Sequence, residues 1–158
     1  MSFTSPCPCT PEVRAAACDM LNRLAAFTIA LNAAAFKAHH NVEGSWFEQD
    51  HALFKATYEA ADEWHDMLSE RISKLGGVAI DTVEEVGPLA EMAPFPVNLT
   101  DGKSLAAELH ARCCELNRRV YQASAAAEQA GLVADVNDLG ALASSIETMA
   151  WRLGKRAA

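Results

Sequence analysis

One hundred and fifty-eight residues fit one domain, long enough for a single core that buries roughly 70% of the surface its unfolded chain would expose. Half the residues are hydrophobic, alanine is abundant and glycine and proline are few, which favours helix over strand and sets the class as all-α. Twenty-one acidic against thirteen basic side chains argue against phosphate-backbone binding and for attraction of cations; with no apolar run long enough for a membrane span and no signal-peptide pattern, a cytoplasmic protein is expected.

Residues 1–10 read as a flexible tail. Its Cys7-Pro8-Cys9 suggests a metal or redox motif, but the spacing is not Cys-x-x-Cys and there is no second pair. Five cysteines, with Cys113 and Cys114 adjacent in a helical stretch, form no disulfide framework. Thr10, Pro11 and Glu12 open a first helix as cap, first-turn proline and dipole complement. From there to His40, Val13, Ala17, Met20, Leu21, Leu24, Phe27, Leu31, Ala34, Ala35 and Ala38 recur at threes and fours as one apolar stripe. Asn41 to Gly44 supply a turn. A second helix runs from about Ser45 to Leu75, stopped by Gly76-Gly77.

Val78 to Thr100 carries Gly87, Pro88, Pro94 and Pro96 and reads as a long crossover, with a short helix possible over Thr82 to Val86. A third helix begins near Asp101, turns Leu105, Leu109, Leu116, Val120 and Tyr121 inward, and reaches Ala130 before Gly131. A fourth, about Val136 to Leu153, buries Leu139, Leu142, Ile146, Met149 and Trp151. The bundle domain spans 11–154, and 155–158 form a short basic tail. Four helices with one long link between the second and third have the connectivity of ferritin-like four-helix bundles.

His39 closes the first helix and His51 stands near the start of the second, so the hairpin can bring their rings together as metal ligands. Asp66 and Glu70 lie one turn apart on one face of the second helix and can clamp a cation, although such pairs are commonly solvated. At about 1.5 Å rise per residue, His51 and Asp66 are roughly 22 Å apart along the axis. Two donors to one ion, each about 2.0 to 2.2 Å from it, sit only about 4 Å apart. A metal served by both pairs must therefore lie between two chains, with this helix antiparallel to its copy across a two-fold axis. His40 and His110 read as ordinary helix histidines satisfying carbonyls or the dipole.

Leu21-Asn22-Arg23, Lys37-Ala38-His39-His40-Asn41-Val42-Glu43-Gly44, Phe47, His51, Leu53-Phe54, Tyr58, Asp66, Glu70-Arg71-Ile72, Leu75-Gly76-Gly77 and Ala150-Trp151 resemble the mini-ferritins called Dps, the DNA-binding proteins from starved cells. The likeness runs from about Arg14 to Leu153, strong over the first two helices and thin in the crossover and third helix. It implies a dodecameric hollow shell, Fe(II) oxidation by peroxide or dioxygen at sites between two-fold-related chains, storage of ferric iron and protection from peroxide. It also implies that His39 and His51 come from one subunit and Asp66 and Glu70 from its partner.

Lys55 departs from the family's pattern, which usually has an acidic ligand there. An ammonium donates but cannot accept and repels a cation, so it is expected to pair with the partner's Asp66 or Glu70 and to oppose a second iron. The alternative is a shell without ferroxidase activity, binding zinc or nothing at the altered site. Glu59 and Asp62 are candidates to compensate, His40 replaces the family's common tryptophan, and Asp135 and Asp138 are candidates to draw cations through three-fold openings. The first thirteen residues hold no Lys or Arg, and only Arg152, Lys155 and Arg156 gather at the other end, so DNA binding is expected to be weak or absent.

Overall fold

The computed structural model describes residues 3–158. Among the described residues, five helices run in chain order: α1 (Pro11–Asn41), α2 (Phe47–Leu75), α3 (Val83–Ala90), α4 (Gly102–Gln129) and α5 (Val133–Ala157). The hairpins α1/α2 and α4/α5 make the four-helix bundle, and α3 lies in the crossover against α1. Inward faces supply a core that includes Phe27, Leu31, Phe54, Leu68, Ile72, Leu105, Leu116 and Ile146, each almost fully buried. The all-α class and the long link between the second and third long helices are as the periodicity predicts.

Helix ends follow local chemistry closely. Thr10 accepts from the Val13 amide, Asp101 accepts from the Ser104 amide at 2.8 Å, and Gly76 closes α2 in the left-handed conformation with φ of 88°. The start of α2 is two residues later than expected, because Gly44, at φ 118°, turns the chain and accepts from the Phe47 amide before the helix begins. In the crossover, Thr82 and Glu85 form a capping box. The helix they start runs past Val86, through Gly87 and Pro88 to Ala90, where Val86 and Ala90 pack on Ala26 and Ile80.

Two outward residues correct the expected core. Tyr121 is 59% exposed, its hydroxyl donating to Glu147 Oε1 at 2.8 Å, and Trp151 is 63% exposed. Each neighbours a residue, Val120 or Ala150, that takes the buried position of that turn. At the C-terminus α5 continues to Ala157 through residues expected as a tail. Arg156 bonds Asp50 in a bidentate pair, with Nη2 to Oδ2 at 2.8 Å, and Asp50 is 1% exposed. A Cβ on Gly102 would meet Asp50 Oδ2, so glycine there leaves room for the pair.

Of the tail expected over 1–10, residues 1 and 2 lie outside the described residues. The rest forms no helix before Pro11, and Ser5 Oγ donates to the Lys74 carbonyl at 2.8 Å.

On α4, Glu115 accepts from Arg118 Nε and Nη2 at 2.8 and 2.7 Å and from Arg119 Nε at 2.8 Å. These bonds hold its pKa down from 4.5 to about 2. With the folded value below the unfolded one, the stabilisation is present above pH 4.5 and is lost as the pH falls towards 2. The side chain is 35% exposed, so solvent screens the pairs and the effect is modest. Glu115→Gln is expected to flatten the acid limb of stability in this window, read as the urea midpoint against pH.

Candidate metal centre

His39 sits in the last turn of α1 and His51 in the second turn of α2, facing each other across the hairpin. The rings stack with centroids 3.6 Å apart and planes inclined by 23°. Each Nδ1 lies 2.9 Å from the other residue's backbone carbonyl, His39 Nδ1 to His51 O and His51 Nδ1 to His39 O. A carbonyl only accepts, so both Nδ1 atoms carry the proton and donate. The neutral ring then keeps its lone pair on Nε2, and neither Nε2 makes a hydrogen bond among the described residues. An imidazole whose other nitrogen is tied to a carbonyl has its ring orientation and tautomer fixed as a metal ligand requires.

Aromatic residues frame the pair. Phe47 stacks on His51 at 5.0 Å, Tyr58 meets the edge of His39 at 5.3 Å, and Phe36 packs on both Tyr58 at 4.6 Å and His40 at 4.5 Å. Phe36, Trp46 and Phe47 remain substantially exposed around the hairpin. Sequence reasoning did not assign Phe36, Phe47 or Tyr58 a place beside the histidines, although Phe36 is three before His39 and Phe47 one turn before His51, spacings that put neighbours on one helical face.

Asp66 and Glu70 lie further along the unbroken α2, both exposed. Glu70 accepts from Lys74 Nζ at 2.8 Å, and that contact holds its pKa below the usual carboxylate range. The carboxylate is thus anionic, with its present partner a solvent-exposed lysine. Within the chain the fold brings His39 to His51 but does not bring Asp66 or Glu70 to them. Among the described residues, no three His, Cys, Asp or Glu side chains converge in one chain as a metal site.

Within its own chain Lys55 pairs with Glu59, and its ammonium stands 5.7 Å from the centroid of the Tyr58 ring. The hydrogen bond to Glu59, then that to Tyr58, raises the Lys55 pKa, so it stays cationic. Glu59 is thereby taken as the counter-charge of Lys55. The expectation that Asp135 faces an opening is corrected: it is fully buried and both oxygens are held by Arg71, Nε to Oδ1 at 3.2 Å and Nη2 to Oδ2 at 2.6 Å. His110 is as expected, its Nδ1 donating to the Ala150 carbonyl at 2.8 Å.

A ferritin-like domain model matches residues 18–156. DpsC from Streptomyces coelicolor superposes at a TM-score of 0.93 with 23% identity, covering 100% of this chain and 92% of that one. The Dps protein of Vibrio cholerae O1, described as a member of a broad superfamily of ferritin-like diiron-carboxylate proteins, gives 0.90 with 20% identity over 98% and 96%. In sequence, the chain is 30% identical over 104 residues to the uncharacterized protein in the bpoA2 5' region of Kitasatospora aureofaciens, covering 66% of this chain and 69% of that protein. The chain belongs to the ferritin-like family. Its fold is that of the Dps mini-ferritins.

Proposed function

We propose that two copies of the chain pair antiparallel through the α1/α2 hairpin, so that His39 and His51 of one protomer and Asp66 and Glu70 of the other bind Fe(II) and promote its oxidation. The observation that carries this reading is the reciprocal Nδ1 bonding of His39 and His51, which presents two Nε2 lone pairs on one side of a hairpin ringed by exposed aromatics. Imidazole with carboxylate is a donor set suited to Fe(II), which is the substrate here. The residues position the ion and neutralise its charge, peroxide or dioxygen takes the electrons, and the ferric product is stored in a dodecameric shell in the cytoplasm, protecting against peroxide. DNA binding is weak or absent, since -8 per subunit outweighs three basic residues near the C-terminus. A gel shift at physiological salt is expected to show no tight complex.

The test is anaerobic Fe(II) titration followed by stopped-flow absorbance after peroxide addition. Rapid ferric formation in the wild type, lost in His51→Ala and in Glu70→Ala, is the expected result. Rates unchanged in both variants would refute the site.

Lys55 favours a second reading, a shell of the same architecture whose interface binds zinc or nothing. The ammonium lies one turn from His51, with Glu59 as counter-charge. Lys55→Asp changes the local charge by two units. Unit charges 4 Å apart interact by about 1 kcal/mol even at the dielectric of water, so Fe(II) affinity should rise roughly tenfold or more. Anaerobic calorimetric titration measures this, and unaltered affinity would show that charge is not the obstacle.

A further inference from the structure

Cys7 and Cys9 take no part in the metal centre, yet their surroundings hold them in place. The Cys7 amide donates to Ser5 Oγ at 3.2 Å, and that hydroxyl in turn donates to Lys74 at the end of α2. From α1, Arg14 Nη1 donates to the Cys9 carbonyl, with the Cys7 carbonyl 3.5 Å away. Both side chains are half-buried against the main core. Pro8 between them fixes its own φ near −65° and narrows the freedom of the turn. Both side chains line one cavity, and the neighbouring Cys7 is the main reason the Cys9 pKa stands above the ordinary thiol value. Beside them opens a cavity of about 430 Å³, bordered by Arg71, Leu132, Val133 and Asn137.

The other cysteines lack this combination. Cys18 and Cys113 are buried, and burial pushes the Cys113 thiol up to about 12. Cys114 is exposed, lying 3.6 Å from His110 Nε2. A structural zinc site takes four donors, whereas the Cys7/Cys9 pair offers two, and the nearby carboxylate of Asp135 is held by Arg71.

We propose that Cys7 and Cys9 are a redox-active dithiol that closes to an intramolecular disulfide on reaction with a hydroperoxide. Cys7, as thiolate, attacks one peroxide oxygen; the O–O bond breaks, sulfur is oxidised to sulfenic acid, and the leaving oxygen departs as hydroxide and takes up a proton. Cys9 then gives up its thiol proton, its sulfur attacks the Cys7 sulfur, and the S–O bond breaks with loss of water. Two thiols and one hydrogen peroxide become one disulfide and two waters. A ring closed across a single intervening residue is strained, and strained disulfides are readily reduced, so cellular thiols reopen it.

The experiment uses the full-length assembled protein, stripped of metal by a chelator so that iron chemistry does not contribute. Stoichiometric hydrogen peroxide is added, free thiols are alkylated at intervals under denaturing conditions, and tryptic peptides are weighed. Residues 1–14 form one peptide containing Cys7 and Cys9 and no other cysteine. That peptide is expected to become about 2 Da lighter and refractory to alkylation before Cys114 loses its thiol, and dithiothreitol should reverse the change. Retention of both alkylatable thiols while Cys114 oxidises would overturn the proposal, as would gain of oxygen without disulfide formation. In Cys9→Ser, Cys7 is expected to accumulate a sulfenic acid captured by a dimedone trap. A Cys7 as inert there as buried Cys113 would also overturn it. Neither result depends on whether the His39/His51 site oxidises iron.

Discussion

If the proposed site is shared between two chains, mixing two inactive variants should restore about a quarter of wild-type iron oxidation, because random pairing makes half the dimers mixed and each mixed dimer carries one intact site out of two. One variant lacks the imidazoles (His39→Ala with His51→Ala), the other the carboxylates (Asp66→Ala with Glu70→Ala). Each alone builds sites missing half their donors. In a mixed pair, the chain that keeps its histidines meets the chain that keeps its carboxylates at one site, and the other site lacks all four residues. If all donors came from a single chain, every site in the mixture would be incomplete and no rate would return. The chains are co-refolded at equal ratio and assayed by stopped-flow absorbance after peroxide addition. Shared sites predict the partial recovery; a mixture as slow as either parent rules them out.

The distance that drives this experiment is legible in the sequence. His51, Asp66 and Glu70 all fall within α2, with Gly76 placed to stop it, so the separation of roughly 22 Å comes from the rise per residue alone. Alternation at threes and fours gives α1 and α4 within a residue or two of their ends, because the stripe and the caps at Thr10 and Asp101 point to the same boundaries. Trp151 and Tyr121 face outward against the apolar pattern, because an aromatic next to a small or branched apolar residue leaves open which of the two takes the inward position, and only packing decides it. The long-range ion pairs were not readable at all. Asp50 and Arg156 are 106 positions apart, and nothing local marks either as buried. Likewise the spacing of His39 and His51 shows that they can meet, but the mutual carbonyl bonds that orient the rings depend on the angle at which α1 and α2 cross.

Asp135 belongs to a second ion pair hidden from the sequence, and its burial makes it costly to break. Its carboxylate is fully buried and Arg71 is 14% exposed at the side chain, with two hydrogen bonds joining them. Removing one partner leaves a buried charge without compensation, a cost of about 3–5 kcal/mol. Asp135→Ala is therefore expected to lower the melting temperature by several degrees or more, read by calorimetry. Removing both charges is different, because the desolvation of two ions is then avoided; replacing a buried pair by apolar residues of similar volume is often neutral or stabilising. The double variant Arg71→Met with Asp135→Leu should recover most of the loss. Iron uptake by that double variant separates structure from transport. An Asp135 that only anchors α5 to α2 leaves the uptake rate at the wild-type value once stability is restored. An Asp135 that passes cations inward leaves uptake slow in a protein that is otherwise stable, and that result would overturn the structural role assigned by its burial.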